Sequence, residues 1–391
     1  MKTQHLNLRT AQGDIFSASL DSPAGGRPAA CAIMVHCFPR RSEAEHLLSL
    51  GLTQNRYEVL RISMADYEEG ISPQVLQEAY RFLASSRQAP ALVIGHSVAG
   101  TALLAEAAAW TTVKAIVTIG APVSSQALHA MLDEDIDDQD YATLTYHTGH
   151  EIAIDLDMLD LLSEPLIRSR LQQLNKALLL MHSPQDREIS VDSAATLYTA
   201  ARHPKSFVTL DGADHFLSVP GDALYAGNLI ASWVQRYIAL PPDTLRTHME
   251  VVARTESGGF TTEVRAGQHS LLADEPIKVG GLNLGPSPYD LLNASLGACT
   301  TMTLRMYADR KGWPLQEAIV HLKHDKVYGE DCQVCDQPGS MLDRIDREVE
   351  LIGPLDEQQR KRLMEIADKC PVHKTLSNRI TIVTAEKKNN V

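Results

Sequence analysis

The chain has 391 residues, of which 44% are hydrophobic and 22% are charged, and its formal net charge is −13. This length exceeds what one ordinary hydrophobic core accommodates, so we expect a globular protein of two domains. The negative charge argues against nucleic acid and anionic membranes as partners, and the lack of a long apolar run argues against a signal peptide or a membrane span, so we expect a cytoplasmic protein.

The first 240 residues alternate predicted strands and helices. The strands are continuous apolar runs, which is typical of strands buried on both faces of a sheet. They are predicted at Ala29–Val35, Glu58–Ile62, Ala91–Ile94, Lys114–Ile119, Lys176–Met181 and Ser206–Leu210. Helical patterns lie between them at Glu43–Gln54, Pro73–Ser85, Thr101–Trp110, Ser190–Ala201 and Ala223–Ile238. This alternation predicts a doubly wound α/β domain with a mostly parallel sheet at residues 1–240.

Polar phrases follow three of these strands, at the sheet edge where ligand chemistry gathers in such folds. The phrases are GHSVAG (95–100), HSPQD (182–186) and DGADHF (211–216). They carry Ser97, Asp186 and His215 in the chain order of α/β-hydrolases, and the strand–GHSVAG–helix context is the one that a nucleophile elbow requires. Taken singly, each motif could also be a turn, a helix cap or a core histidine. The occurrence of serine, aspartate and histidine in this order, each at a strand end, favours a catalytic triad.

The residue types of this triad define a mechanism. A serine hydroxyl is a weak nucleophile near neutral pH, so we expect His215 to remove the proton of Ser97 and Asp186 to hold the imidazole and stabilise its cation. The expected oxyanion hole uses the backbone N–H of Val98 together with that of Cys37 or Phe38.

Two segments bear on the substrate pocket of this domain. Residues 121–174 are long for a plain crossover, and we interpret them as an insertion that caps the sheet. Residues 61–70 lack most of the glycines that related hydrolases carry at this point, so the sequence leaves the acyl and alcohol specificity open.

A proline pair ends the first domain and marks a linker at 241–246. The segment from 247 to 391 mixes strands and helices without regular alternation, which predicts an α+β domain. Its strands are predicted at Met249–Thr255, Thr261–Arg265, Ala318–Val327, Arg344–Ile352 and Arg379–Thr384, and its helices at Gly285–Met306 and Asp356–Lys369.

The first of these helices carries a cysteine, Cys299. Ser287 suits the N-cap and Pro288 the first helical position. Residues of one predicted apolar face recur at three- and four-residue spacing, which predicts that Cys299 points into a core or an interface. They are Leu292, Leu296, Cys299, Thr303 and Met306. Cys370 follows the second helix and opens the phrase CPVHKTL. A lone cysteine on an apolar helix face is usually an inert hydrophobe, so spacing alone does not establish thiol chemistry.

The region from Thr247 to Thr384 resembles the OsmC/Ohr family of thiol peroxidases. The resemblance rests on DEP, GG, GPSPYDLL, GACT and CPVHKTL, and the phrases HSVAG, HSPQD, AARHPKSF and ADHF resemble the hydrolase half of hydrolase–OsmC fusions. It implies that Cys299 attacks a hydroperoxide, that Cys370 resolves the product as a disulfide, and that a dithiol reductant restores both thiols. The resemblance also implies an intertwined homodimer, and the expected chemistry requires no cofactor or metal.

A thiolate three turns into a helix needs a nearby cation, because the helix dipole fades beyond the first turn. In the family an arginine supplies this charge and an acid holds it. Phe260 stands where one branch has its arginine, so Arg265 is the best remaining candidate, with Arg254 behind it. Asp290 is the expected acid, or a plain capping residue. Cys332 and Cys335 form a CxxC phrase that is open to zinc, to an auxiliary disulfide or to a plain loop.

Three functions remain open at this point. The leading hypothesis is a serine hydrolase for esters or thioesters fused to a peroxidase that reduces organic hydroperoxides. The second is a serine hydrolase paired by a non-catalytic OsmC-like module for dimerisation or ligand binding. The third is a redox sensor in which thiol oxidation gates the hydrolase.

Overall fold

The computed structural model describes residues 1–25, 28–68, 70, 72–132, 141–240, 245–255, 259–328 and 341–387. The chain divides into two compact units, Met1–Arg254 and Thr255–Val391. Most of the predicted linker at 241–246 lies outside the described residues, so the domain bounds derived from the sequence stay a prediction.

An eight-stranded sheet organises the first unit. The described strands of this unit are β1 (Lys2–Arg9), β2 (Ile15–Ser22), β3 (Ala30–His36), β4 (Tyr57–Ser63), β5 (Leu92–His96), β6 (Ala115–Ile119), β7 (Tyr141–Thr145), β8 (Glu151–Asp155), β9 (Ala177–His182) and β10 (Lys205–Thr209). The sheet has the order β1-β2-β4-β3-β5-β6-β9-β10, with antiparallel pairing at β1–β2 and β2–β4 and parallel pairing at the other contacts. The predicted doubly wound, mostly parallel sheet is confirmed. The strands β7 and β8 form a separate hairpin.

Helices cover the sheet in two layers. They are α1 (Ala44–Thr53), α2 (Pro73–Ser86), α3 (Val98–Ala107), α4 (Leu156–Asp160), α5 (Glu164–Gln173), α6 (Asp192–Ala200) and α7 (Pro220–Val234). In one layer α1 packs against α7, and in the other α2, α3, α5 and α6 pack in series. The central strands β3, β5, β6 and β9 are buried along their whole length, as their continuous apolar sequences predict.

The N-terminal hairpin of β1 and β2 was missed by the sequence analysis. The sequence of β1, KTQHLNLR, is largely polar, and its residues are exposed or half-buried in alternation. An edge strand of this kind carries little apolar signal, because only one of its faces is covered.

The layer of α1 and α7 depends on two glycines at the helix crossing. A Cβ added to Gly51 would lie 2.7 Å from the backbone nitrogen of Asn228, and one added to Gly227 would overlap the carbonyl oxygen of Leu48. Since α1 follows the loop after β3 and α7 follows the loop after β10, this crossing fixes the spacing of two loops that border the site described below.

The second unit is α+β, as predicted. Its elements are β11 (Val251–Thr255), which lies at the boundary of the units, then β12 (Thr262–Ala266), β13 (His269–Ala273), α8 (Pro288–Lys311), β14 (Glu317–Tyr328), β15 (Met341–Ile352), α9 (Glu357–Ala367) and α10 (Pro371–Ser377). The strands β12 and β13 pair with each other, as do β14 and β15. The helix α8 packs against β14 and α9. A small core forms there from Leu304, Ala308, Leu315, Leu363, Ile366 and Ala367.

The prediction of a last strand at Arg379–Thr384 is wrong for this chain. Residues 379–387 contain neither strand nor helix, and the side chains of Ile382 and Val383 are 85% and 87% exposed. A strand needs a neighbour for its backbone hydrogen bonds, and the alternation of a segment does not say whether its own chain provides one.

None of the helices in the described part of the chain combines the length and the apolar character that crossing a bilayer would need. The cytoplasmic location expected from the sequence stays a prediction.

We predict that Gly227→Ala lowers the free energy of unfolding by about 1–3 kcal/mol, because the added methyl group overpacks the crossing of α1 and α7. Gly221→Ala is the matched control, since Gly221 lies in the same helix with open space around its Cα. The urea midpoints of the two variants and the wild type measure the effect. Equal midpoints for both variants would contradict the assigned crossing.

Candidate functional site

Ser97 stands at a strained turn between β5 and α3. Its backbone has φ 57° and ψ −134°, a conformation that residues other than glycine rarely adopt. The turn is tight enough that a Cβ on Gly95 would overlap Gly100, so the glycines of the GHSVAG phrase are needed for close backbone approach. The backbone nitrogen of Ser97 donates to the carbonyl oxygen of Ile119 at 2.8 Å, which ties the turn to β6.

The structure brings Ser97, His215 and Asp186 together in one hydrogen-bonded chain. Nε2 of His215 lies 3.1 Å from Oγ of Ser97, and Nδ1 of His215 lies 2.7 Å from Oδ2 of Asp186. All three side chains are buried. In this geometry Nδ1 carries the proton that the carboxylate accepts, and Nε2 is the acceptor for the serine hydroxyl.

Asp186 is held as a carboxylate by its surroundings. Burial would raise its pKa, but hydrogen bonds from His182 and His215, the charge of His215 and the backbone N–H of Ile189 together hold the pKa of Asp186 well below its usual range. The N–H groups of Glu188 and Ile189 both donate to Oδ1, at 2.9 and 3.0 Å. The carboxylate is therefore oriented as well as charged.

Gly120 leaves room for the histidine–carboxylate pair. It has φ 59°, and a Cβ at this position would lie 3.2 Å from the ring of His215 and 3.3 Å from Oδ2 of Asp186. The sequence analysis did not single out Gly120, because a glycine after a buried strand has many ordinary explanations.

His96 links three parts of the site. Burial, followed by the charge of His215, holds the pKa of His96 well below 6.5, so the ring is neutral. Its Nδ1 accepts from the backbone N–H of Cys37 at 3.4 Å, and its Nε2 donates to the carbonyl oxygen of His215 at 2.8 Å. The ring of His96 also stacks on Phe38, with centroids 4.2 Å apart. The N–H of Cys37, one of the predicted oxyanion donors, thus has an acceptor already.

The thiol of Cys37 borders the same space. Burial raises the pKa of this thiol to about 12, so it stays protonated, and the N–H groups of Ala99 and Val98 point at its sulfur. The predicted donors Val98 and Phe38 are both fully buried, and Val98 directly follows Ser97 in the chain.

A tyrosine that the sequence analysis missed completes the surroundings of Ser97. Tyr146 follows β7 in the turn of the β7–β8 hairpin, inside the segment predicted as a cap, and its Oη lies 3.0 Å from Oγ of Ser97. Its ring packs against His150, Phe216 and His215, with centroids 5.6, 5.0 and 5.5 Å apart. No local pattern in the sequence could have paired residues 97 and 146.

A cleft of about 840 Å³ opens beside these rings. His150 and Phe216 belong to its lining, as do the charged residues Arg40, Glu68 and Glu151. Tyr146 contacts both His150 and Phe216 as well as Ser97, so one residue joins the cleft lining to Ser97.

In the second unit the structure brings Cys299 and Cys370 together. Both thiols are free, and a hydrogen bond joins their side chains. Cys370 is the N-cap of α10, and its sulfur accepts from the backbone N–H of His373 at 3.2 Å and from the hydroxyl of Thr300 at 3.7 Å. Donors at a helix N-terminus are an environment that favours a thiolate.

Arg347 is the cation beside these thiols. Its guanidinium donates to Thr300 at 3.3 Å, to the carbonyl oxygen of Ala367 at 3.2 Å and to Asp368 at 2.5 Å, and its side chain is 13% exposed. Burial would raise the pKa of Cys370, but the hydrogen bonds from His373, Thr300 and Cys299 and the charge of Arg347 lower it below 9.0. The sequence analysis missed Arg347, because nothing local distinguishes it from Arg344, the other arginine of β15.

Arg265 and Asp290 are the residues predicted to activate the thiolate. Arg265 lies in β12 opposite Ser270. Asp290 closes a capping box with Ser287, accepting from its backbone N–H at 2.9 Å and from its hydroxyl at 2.7 Å. A part of either residue in thiol chemistry stays a prediction.

The predicted apolar face of α8 is shifted by about one residue. The buried residues are Leu296, Thr300, Leu304 and Ala308, whereas Cys299 and Thr303 are half-buried and Met306 is 72% exposed. Thr300, rather than Cys299, is the residue of this turn that is buried in the core of its own chain, and the alternative that Cys299 faces an interface stays a prediction. Leucine, alanine and threonine recur on several sides of this helix, so the period alone did not fix its orientation.

The CxxC phrase of Cys332 and Cys335 lies outside the described residues. The nearby histidines are paired with acids, His321 with Glu350 at 2.7 Å and His324 with Asp343 at 2.9 Å. No cluster of three metal-ligating side chains occurs among the residues that the structure describes.

Both parts of the chain are similar to known proteins. The sequence profile of the family described as OsmC-like protein matches residues 281–385. The crystal structure of the esterase domain of a Rhodothermus marinus protein is 35% identical to this chain, with a TM-score of 0.58, and the match covers 61% of this chain and 99% of that one. Est1E from Butyrivibrio proteoclasticus is 14% identical, with a TM-score of 0.49 and coverage of 59% and 98%. No curated protein matches the chain.

We predict that Arg347→Gln raises the pKa of the Cys370 thiol, because it removes the positive charge beside the sulfur. The rate of alkylation of the Cys370 peptide as a function of pH, followed by mass spectrometry, should shift its midpoint to higher pH. Arg344→Gln is the control, since Arg344 lies on the same strand and pairs with the exposed Asp346. An unchanged profile in Arg347→Gln would refute the assigned charge effect.

Proposed function

The chain belongs to the α/β-hydrolases of esterase type and carries an OsmC-like domain at residues 281–385, and on this basis we propose that its first unit is a serine hydrolase for esters or thioesters. The observation that carries the proposal is the continuous chain from Ser97 through His215 to Asp186, at 3.1 and 2.7 Å. The similarity to an esterase domain supports the same reaction class.

In this reaction Oγ of Ser97 forms a bond to the acyl carbon while its proton passes to Nε2 of His215. The carbonyl electron pair moves to oxygen, which becomes the oxyanion. The intermediate then collapses, the bond to the leaving alcohol or thiol breaks, and His215 returns the proton to that group. Water repeats the sequence on the acyl-enzyme and releases the acid. The low pKa of Asp186 keeps a negative charge beside the imidazolium throughout.

The backbone donors for the oxyanion are those of Val98 and Phe38. Val98 directly follows Ser97 in the chain, which supports its part in the oxyanion hole, and its N–H points at the sulfur of Cys37, which is a weak acceptor. Among the three predicted donors, the N–H of Cys37 is the weakest candidate for the oxyanion hole, because it already donates a hydrogen bond to His96.

For the second unit we propose a thiol peroxidase. A thiolate sulfur of Cys299 would attack the terminal oxygen of an organic hydroperoxide, forming an S–O bond while the O–O bond breaks and the alcohol leaves with a proton. Cys370 would then attack that sulfur and expel water, leaving a disulfide that a dithiol reductant reduces. The contact between the two thiols supports disulfide formation, and the lowered pKa of Cys370 supports its part as the thiolate that attacks the oxidised sulfur of Cys299.

A second candidate for this unit is a dimerisation module without thiol chemistry. The apolar side chains of Met302, Met306, Ile382 and Val383 are 64%, 72%, 85% and 87% exposed in the single chain. Exposed apolar groups of this number indicate a partner surface, and we propose that a second copy of the chain covers them in a homodimer. A redox sensor that gates the hydrolase would need coupling between the units as well.

We predict that a fluorophosphonate probe labels the wild-type protein at Ser97. Ser97→Ala should abolish both labelling and ester hydrolysis, and Asp186→Asn should reduce kcat by about 10⁴-fold, as loss of the equivalent carboxylate does in a serine protease. Ser86→Ala is the control, because Ser86 is exposed at the end of α2. An unlabelled and inactive wild-type protein would rule out the hydrolase.

We predict that one equivalent of an organic hydroperoxide joins Cys299 and Cys370 in a disulfide, because the two thiols are already in contact. Peptide mapping detects the bridge, and Cys299→Ser should abolish both the bridge and hydroperoxide consumption with a dithiol. Light scattering of the same samples gives the oligomeric state. A persistent dimer with both thiols unoxidised would favour the dimerisation module instead.

A further inference from the structure

The hydroxyl of Tyr146 is placed where it can act on the reacting atoms. It lies 3.0 Å from Oγ of Ser97, and the tyrosine is fully buried. Neither the triad mechanism nor the backbone oxyanion hole uses this group. A phenol buried at a nucleophile calls for an explanation of its own, because burying a hydroxyl without a hydrogen bond is costly.

The protons of the site determine the direction of this hydrogen bond. With the ring proton on Nδ1, where it is hydrogen-bonded to Asp186, Nε2 of His215 is an acceptor and the hydroxyl of Ser97 donates its one hydrogen bond to it. Oγ of Ser97 can then only accept from its other neighbour, so Oη of Tyr146 is the donor. Burial raises the pKa of Tyr146 well above 10, which keeps the phenol protonated.

The surroundings of Tyr146 point to the oxyanion side of Ser97. Its hydroxyl also interacts with the thiol of Cys37, and the N–H groups of Val98 and Ala99 point at that same sulfur. The hydroxyl therefore lies among the groups that border the expected oxyanion hole. The oxyanion is bonded to the same carbon as Oγ after attack, so a donor within 3.0 Å of Oγ is within reach of it.

Contacts on both sides of the hairpin turn hold Tyr146 in place. The backbone N–H and Nδ1 of His147 lie 2.7 and 3.1 Å from Oε2 of Glu188, in the loop that carries Asp186. At the other end Nε2 of His150 lies 3.2 Å from the carbonyl oxygen of Cys37. A donor fixed in this way costs little reorganisation during the reaction.

We propose that Tyr146 is a catalytic residue that donates a hydrogen bond to the oxyanion, as a side-chain donor carried by the hairpin over the site. The inference rests on the proposed serine hydrolase. The alternative is a plug, in which the phenol fills the site and substrate must displace it. The two roles predict opposite effects of removing the hydroxyl, because a donor stabilises the transition state and a plug only competes with substrate.

The test is the variant Tyr146→Phe, which keeps the ring and its packing. We expect kcat for a simple aryl ester to fall about 100-fold, within the range for the loss of one oxyanion donor, with KM nearly unchanged. Binding of a trifluoromethyl ketone, which adds to the serine as a tetrahedral adduct, should weaken by about the same factor. Tyr225→Phe, at a tyrosine 54% exposed on α7, should change neither quantity.

The outcomes separate the inference from the proposed function. An active wild type whose Tyr146→Phe variant retains or exceeds its kcat would overturn the donor role and leave the hydrolase intact. A loss that appears in KM, or that follows a lower melting temperature, would assign Tyr146 to packing and equally overturn the proposal. A wild type without serine labelling or turnover would refute the hydrolase and the donor together.

Discussion

The chemistry of the first unit depends on the backbone conformation of Ser97. A positive φ at a residue with a side chain is strained, and it persists only where the surroundings fix it. Here the close approach of Gly95 and Gly100 and the hydrogen bond to β6 provide that constraint. The turn places Oγ within hydrogen-bond distance of both His215 and Tyr146, at 3.1 and 3.0 Å, so one strained residue holds a hydroxyl that has two polar partners.

Neutral and charged groups are arranged around this turn in a consistent way. Asp186 is kept ionised by its hydrogen bonds, whereas His96, Cys37 and Tyr146 are kept neutral by burial. A buried site tolerates one charge that is well solvated by donors, and further charges would be costly. The neutral groups can therefore orient loops and donate hydrogen bonds without competing with the carboxylate for the imidazolium.

The second unit shows the same principle at a pair of thiols. The sulfur of Cys370 accepts hydrogen bonds at the start of α10 while the guanidinium of Arg347 lies close by, and Asp368 and the carbonyl oxygen of Ala367 hold that guanidinium. Local capping geometry and one long-range cation thus act on the same atom. The role expected of Arg265 stays a prediction, and Arg347 was not recognised from the sequence, because a family resemblance transfers positions in a motif and not the packing around them.

The sequence by itself determined the buried strands, the doubly wound order, the α+β second unit, and the placement of Ser97, Asp186 and His215 at strand ends. Hydrophobic periodicity, helix caps and glycine turns each depend on a few neighbouring residues, so they can be recognised from the sequence. Only the tertiary structure decided that Tyr146 meets Ser97, that Arg347 meets Thr300, and which face of α8 is buried. The first of these contacts joins residues 49 positions apart in the chain and the second joins residues 47 positions apart. Contacts at this separation depend on how helices and strands pack against each other. For the same reason, the alternating sequence at 379–384 predicted a strand, although these residues pair with no strand in the described part of the chain.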